Sequence, residues 1–349
     1  MATATGVYHT TYGRDFALRH TKAEYARLAL MVVVALALPF SLETYWLRTV
    51  NLIGLAAIAA VGLNILTGYT GLVSLATGAF LGVGAYTTAN VSSRLGLPMP
   101  VGILAGVVAA ALIGAFFGLP ALRLKGLYLA IATLAAQYIL SFLFKNWRPL
   151  TAGAGNIAAN NPTVGDYVIR SDFVWYWIIL AVLAVTVAAA VNLFRTGLGR
   201  AFIAIRDQDV AAEVMGVNVG RYKILAFAIA CGMAGLSGAL TAHYETVVTW
   251  ERYEIDTSFL FVAMIIVGGL GSVSGAVYGA AFMMWVPAYI SRTGENLRGS
   301  FSLLVQQLPA VQQLLFGIVI VSFLLLEPRG LARLWQRTKD YFRLWPFRY

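Results

Sequence analysis

Ten apolar runs punctuate this chain, at about residues 28–46, 50–67, 71–92, 101–119, 127–144, 173–194, 223–244, 257–273, 275–291 and 309–326. A helix needs about 20 residues to cross roughly 30 Å of hydrocarbon, and most of the runs are close to that length. They lack the strict alternation of barrel strands, and a spanning segment must satisfy its own backbone hydrogen bonds, so each is expected to be a helix. The pattern therefore predicts an all-α polytopic membrane protein with about ten transmembrane helices. Residues 28–326 form its membrane domain, flanked by an N-terminal segment, 1–27, and a basic tail, 327–349. Composition agrees: 60% of the residues are hydrophobic and 11% charged, against about 25% charged in a soluble domain. Too few polar residues remain to cover a soluble surface.

Lysine and arginine near span ends mark the cytoplasmic side. With ten spans the termini share a face, and that face carries 17 of the 25 basic residues and seven of the 15 acidic ones, so the whole net charge of +10 lies there. Both termini are thus expected in the cytoplasm. The basic balance needs no nucleic acid to explain it, because the charges are spread over loops flanking spans. In the tail, arginines alternate with Trp335, Trp345 and other aromatics, a composition suited to the headgroup interface. Residues 1–27 are too long and polar for the leading part of a signal peptide, and the first apolar run is expected to stay as a span.

The chemistry the spans lack narrows the function. Their interiors hold essentially no Asp, Glu, Lys or Arg, so the ionisable groups of pumps and ion-coupled carriers are missing. No phosphate-binding G-x-x-x-x-G-K-[ST] loop occurs. No nucleophile–base pair is evident in the spans, so no catalytic residue is assigned. One cysteine, Cys231, and three scattered histidines, His9, His20 and His243, give neither a disulfide nor a metal site. No cofactor is implied.

Glycine, 34 residues in all, gathers inside the apolar runs. The pairs Gly78/Gly82 and Gly275/Gly279 have the small-xxx-small spacing that lets helices approach closely. Two glycine-serine segments, "TGLVSLATGAF" and "GGLGSVSGAVYGA", fall in opposite halves of the chain. Paired interrupted segments point to a central pathway, because freed backbone groups must face protein or a cavity. Asn64, Ser74, Thr77, Gly78, Ser272 and Ser274 are the candidates for that pathway; ordinary interhelical hydrogen bonding is the alternative. The two segments are candidates for an internal repeat, and if either is re-entrant the span count falls to between eight and ten.

One polar stretch, 195–223, stands apart, and within it "RDQDVAAEVMGVNVGRYK" predicts a short charged helix. Asp209 suits an N-terminal cap or first-turn anion, Gly216 a left-handed end, and Arg221 lies where the chain rejoins a span. Such a knob on the cytoplasmic face suits docking with a soluble partner.

Here the chain resembles a family. "GRAFIAIRDQDVAAEVMGVNVGRYKILAFAIACGMAGLSGAL" is similar to the cytoplasmic loop and following span of LivM-type permease subunits of branched-chain amino acid ABC importers, the LivH/LivM family. "GLNILTGYTGLVSLATGAFLGVGAYTTA", "LRLKGLYLAIATLAAQYIL", "VGGLGSVSGAVYGA" and "LLFGIVIVSFLLLEPRGL" follow the family in order, over about residues 45–331. The resemblance implies a LivH-type second permease, two cytoplasmic ABC ATPases of the LivG/LivF type and a periplasmic solute-binding protein as partners, with no nucleic acid. It places an ATPase-coupling motif at Ala211, Ala212, Glu213 and Gly216, which Asp209 and Arg221 flank. Where relatives carry a threonine-glycine-glycine stretch, this chain has "TAGAGNIAANNP", so the substrate stays open between branched-chain amino acids and urea, amides or carboxylates. Residues 245–256, "ETVVTWERYEID", offer acidic and aromatic groups for the binding protein, or an interfacial belt of Trp250 and Tyr253. A stand-alone facilitator or channel for a small neutral solute is the alternative function.

Overall fold

A computed structural model describes residues 22–151, 156–159, 163–164 and 167–296, with 314, 317–318, 321–322 and 330–334. The expected span at 309–326 and the two polar termini lie largely outside the described residues. Residues 1–47 and 48–349 form separate compact units. The first holds helix α1 (Lys22–Ser41), apolar from Ala29 onward.

From Thr44 onward the described residues are helical apart from short strand pairs, turns and loops. Helix α2 (Thr44–Asn64) runs into a π-helical turn, Ile65–Tyr69. After non-helical residues 71–76 come α3 (Thr77–Arg94), α4 (Met99–Phe117), a 3-10 turn (Leu119–Leu122), α5 (Leu127–Asn146) and the single turn α6 (Arg148–Thr151). Helices α7 (Asp172–Leu193), α8 (Gly197–Val214), α9 (Val219–Glu245), α10 (Ile255–Gly268) and α11 (Val273–Asn296) follow.

Among the described residues six helices are long and apolar enough to cross a membrane: Thr44–Tyr69, Met99–Phe117, Leu127–Asn146, Asp172–Leu193, Val219–Glu245 and Val273–Gly294. The protein is therefore an all-α, multi-pass membrane protein. Three expected spans differ from the pattern, the run at 28–46 because its helix ends at Ser41 and its apolar part, Ala29–Ser41, is one of the shorter apolar helices. The run at 71–92 is helical only from Thr77, and the run at 257–273 stops at Gly268. The last stops because the chain turns through Gly269 and Gly271 at φ +117° and +73°, conformations that side chains disfavour. Helix α10, with 14 residues, rises only about 21 Å.

Helices α2, α3 and α9 are the innermost: 83% and 61% of the apolar windows of α2 and α9 are buried against 22% for α4, and 13 of the 18 residues of α3 are buried. Ser237 on α9 donates a hydrogen bond to the Leu55 carbonyl of α2 at 2.7 Å. Helix α4 meets α9 in steps of four residues: Gly102, Gly106, Ala110 and Gly114 lie against His243, Ala239, Gly235 and Cys231. The opposite face of α4 presents Leu104, Val108, Leu112 and Phe116 outward. Large residues outside and small ones inside is what lipid favours: acyl chains solvate leucine as well as a neighbouring helix does, so close packing decides which face turns inward. Helices α10 and α11 form an antiparallel hairpin, with Gly275 and Gly279 against Gly268 and Met264.

At the far end of α9, strand β1 (Ile157–Ala158) pairs antiparallel with β4 (Val247–Val248), Ile157 opposite Val248. Between them in sequence, β2 (Thr163–Val164) and β3 (Tyr167–Val168) form a small hairpin. The interfacial-belt expectation fails at Tyr253, which is 1% exposed and belongs to the core. Trp250 instead packs beneath the Lys145 ammonium, 4.4 Å from the ring centre, and Glu245 is ion-paired to Arg252.

Candidate functional site at the two helix breaks and the polar knob

Helix α3 starts inside the protein with no local side-chain cap, since Ala76 holds the cap position. Its free amide groups must find partners elsewhere. Helices α5 and α10 supply them. Thr133 accepts from the Leu75 N–H at 3.0 Å, Ser258 from Gly78 at 2.8 Å, and the Gln137 side-chain oxygen from Ala79 at 2.9 Å. Ser258 also donates to that oxygen at 2.8 Å, while the Gln137 amide donates to the Tyr253 carbonyl and to Ser141. Gln137 is fully buried. Sequence reasoning missed Thr133, Gln137 and Ser258. The available signal was a lone glutamine within "LYLAIATLAAQYIL".

The second break, residues 269–272, is held from α2. Asn64, buried, accepts from the Gly271 N–H at 2.9 Å and donates to the Ser272 carbonyl at 2.7 Å. Ser272 then caps α11, its hydroxyl accepting from the Gly275 N–H at 3.1 Å and lying 3.2 Å from the Ser274 hydroxyl. The two breaks touch. A Cβ on Gly68 would intrude on the Gly271 backbone and the Asn64 amide oxygen, so only glycine permits this approach. Tyr69 stacks on Phe194 with ring centres 3.6 Å apart.

The six pathway candidates thus divide. Asn64, Ser272 and Ser274 come together at the contact between breaks. Ser74 and Thr77 lie with Leu63, Leu66, Phe80 and Cys231 around a void of about 10 Å³, at or below the smallest space a water occupies. Gly78 sits at the buried start of α3. Ser74 makes only a long contact, 3.5 Å, with the Ala76 N–H.

The polar insert folds as two helical pieces. Within α8, Gln208 is extended (φ −164°, ψ 109°), which makes Asp209 the first residue of a new short helix and a first-turn anion. That helix ends with the Val217 N–H on the Ala212 carbonyl at 3.0 Å and the Gly216 N–H on the Glu213 carbonyl at 2.9 Å, a Schellman motif. The motif requires a left-handed residue, and Gly216 has φ +85°. Asp209 roots the knob: its carboxylate lies 2.6 Å from Lys125, in the turn before α5, and 3.5 Å from Lys223, buried at the start of α9. The Lys125 hydrogen bond, helped by both ammonium charges, holds the Asp209 carboxyl below its ordinary 3.8 although partial burial opposes it. Ala212 is buried, whereas Ala211, Glu213, Gly216 and Arg221 are exposed. The Arg221 backbone N–H is capped by Asn218 at 3.1 Å. Three residues absent from the sequence-based candidates form an exposed apolar crest: Val210, Val214 and Met215, at 60%, 83% and 84%. The four-residue spacing of Val210 and Val214 along a helical insert was the signal.

Residues 45–324 match the family model described as branched-chain amino acid transport system / permease component. The chain belongs to this permease family. It is a transport subunit and not an enzyme, as its relatives are. The permease is 29% identical over 329 residues to the high-affinity branched-chain amino acid transport system permease protein LivM of Escherichia coli K12, covering 87% of this chain and 74% of the relative. It is 24% identical to the LivH permease protein of Salmonella typhimurium, over 71% of this chain and 87% of the relative. The ribose import permease protein RbsC of Haemophilus influenzae is 27% identical, over 73% and 80%. No solved structure matches the permease. Among its described residues no group of His, Cys, Asp and Glu could hold a metal ion.

Proposed function

We propose that this chain is the LivM-type permease of an ATP-binding-cassette importer and helps form the pathway for branched-chain amino acids or related small polar solutes. A periplasmic binding protein delivers the solute, a LivH-type permease completes the membrane core, and two cytoplasmic ATPases of the LivG/LivF type drive the cycle. The protein sits in the bacterial inner membrane with both termini in the cytoplasm. It makes about ten passes, among which α3 and α10 are the interrupted ones.

The knob carries this reading. An apolar crest of Val210, Val214 and Met215 outside the long apolar helices, on a helix fixed at its base by Asp209, has the character of a docking surface for a soluble protein. Ala211, Glu213 and Gly216 lie on the same exposed turn, and Asp209 and Arg221 stand where that turn is tied to its neighbours. A constitutive channel is disfavoured, since Ser74 and Thr77 line a void of only about 10 Å³. The ribose permease among the relatives supports assigning solute choice to the binding protein.

The decisive experiment is reconstitution in liposomes. The chain alone should conduct no solute, and substrate uptake with substrate-stimulated ATP hydrolysis should appear once the partner permease, ATPases and binding protein are present. Glu213→Lys and Gly216→Pro should insert normally yet abolish the stimulation. Conduction by the chain alone, or normal stimulation in both variants, would reject the assignment.

A further inference from the structure

Arg206 stands on neither the crest nor the pathway, yet it connects them. It lies two residues before the Gln208 kink, at the end of the first piece of α8. Its Nη1 donates to the Gly68 carbonyl at 3.2 Å, in the π-helical turn where α2 ends. The same guanidinium edge would lie 3.5 Å from a Cβ on Gly271, in the second break, and its stem lies against Gly71. Asp207 holds the other edge of the fork through Nε at 3.2 Å and Nη2 at 3.1 Å. A planar fork can serve two acceptors at fixed geometry, which an ammonium cannot. The Gly68 carbonyl is released by the helix break, so the charge-assisted bond satisfies a group that is otherwise exposed at the seam.

We propose that Arg206 is a latch: it holds the inner ends of the two broken segments together, and displacement of the knob withdraws it and parts them. The inference deepens the coupling assigned to the knob. Arg206 is the positioning residue between docking surface and pathway, and the Gln208 kink lets the crest helix swing while the latch piece of α8 is pulled after it.

The test uses the complete complex in inside-out vesicles, with Ser74→Cys as reporter and a membrane-impermeant maleimide. Cys231 lines the same void as Ser74, so every variant carries Cys231→Ala, and the matching complex without Ser74→Cys supplies the blank. Without nucleotide, Arg206→Ala should speed labelling about fivefold, the scale of one partly exposed charge-assisted hydrogen bond. Arg206→Lys should fall between Ala and the parent, and Asp207→Asn, which leaves the latch bond in place but frees the fork, should give a smaller increase. Arg206→Ala should also move about fivefold less substrate per ATP hydrolysed. Parental labelling in Arg206→Ala overturns the latch. So does an Arg206→Lys variant indistinguishable from Ala with an equal loss of thermal stability in both, which is the signature of packing alone. If the parental complex shows no ATP-driven uptake, the importer assignment fails, and the nucleotide-free labelling still judges the latch.

Discussion

Gln137 directs both ends of its amide at backbone that no neighbouring residue in the chain serves: the Ala79 N–H at the start of α3 and the Tyr253 carbonyl before α10. Gln137→Leu would keep the volume of the site and leave both groups buried and unpaired, at about 1–3 kcal/mol for each. Thermal unfolding in detergent should fall measurably for this variant, whereas Gln137→Asn, which keeps the chemistry but shortens the reach, should lose less. Equal stability for Leu and wild type would remove Gln137 from the account of why α3 can begin inside the protein. Asp209 gives a pH-dependent counterpart. Its carboxyl titrates below 3.8 in the folded protein and near 3.8 when unpaired, so the lysine contacts contribute fully above that value and are lost as pH falls through the lower folded one. Limited proteolysis of the knob should therefore be constant from neutral pH down to about 5 and accelerate in stronger acid. Asp209→Asn should make the knob labile already at pH 7 and flatten the acid response. Lys125 is exposed, so its part of the attachment weakens in high salt, while Lys223 is buried and keeps its part.

Among the elements, α4 states the packing rule most plainly. Its side chains differ by size around the helix and hardly by polarity, so a search for polar and apolar faces finds no inward side. Gly106 and Ala110 touch α3 and α9 closely enough that larger side chains have no room, while Leu112 and Val108 face outward. Ala110→Leu should destabilise the bundle by about 1–3 kcal/mol or prevent its assembly. Leu112→Ala, on the lipid face of the same helix, should change the unfolding temperature little. A large loss from Leu112→Ala would mean that the outward face is a buried contact. The four-residue spacing of small residues was visible in the sequence, but the glycine pairs first noticed there, Gly78/Gly82 and Gly275/Gly279, serve other contacts. Gly78 and Gly82 pack on Ser258 and on Phe144 with Tyr253, and Gly275 and Gly279 on α10.

For the molecule as a whole, the charge pattern assigns the knob and the β1–β4 end to opposite sides of the membrane. Met215→Cys and Val247→Cys report on that assignment, because both positions are exposed and the native Cys231 is buried. An impermeant maleimide applied to intact spheroplasts should label Val247→Cys and spare Met215→Cys, and inside-out vesicles should reverse the result. Labelling of both from one side would overturn the ten-pass arrangement. Where the two breaks lie in the membrane domain follows from contacts far apart in sequence. Asn64 reaches Ser272, and Arg206 reaches Gly68. Sequence reasoning placed Asn64 and Ser272 beside the same pathway through their residue types and their glycine-rich surroundings. It had no means to find the hydrogen bond between them, nor to separate Ser74 and Thr77 from that contact.

The linear sequence determined that this is a helical membrane protein, where most of its apolar helices run, which residues interrupt them, and that one polar helix ends at Gly216. Those properties follow from local length, apolarity and backbone freedom, which need no neighbour. Only the tertiary structure decided which helices are innermost, which side chains cap α3, and that Arg206 joins the knob to the two breaks. In lipid the backbone groups freed at a break must find partners across the bundle, and the identity of those partners depends on helix register, a property that no single segment carries.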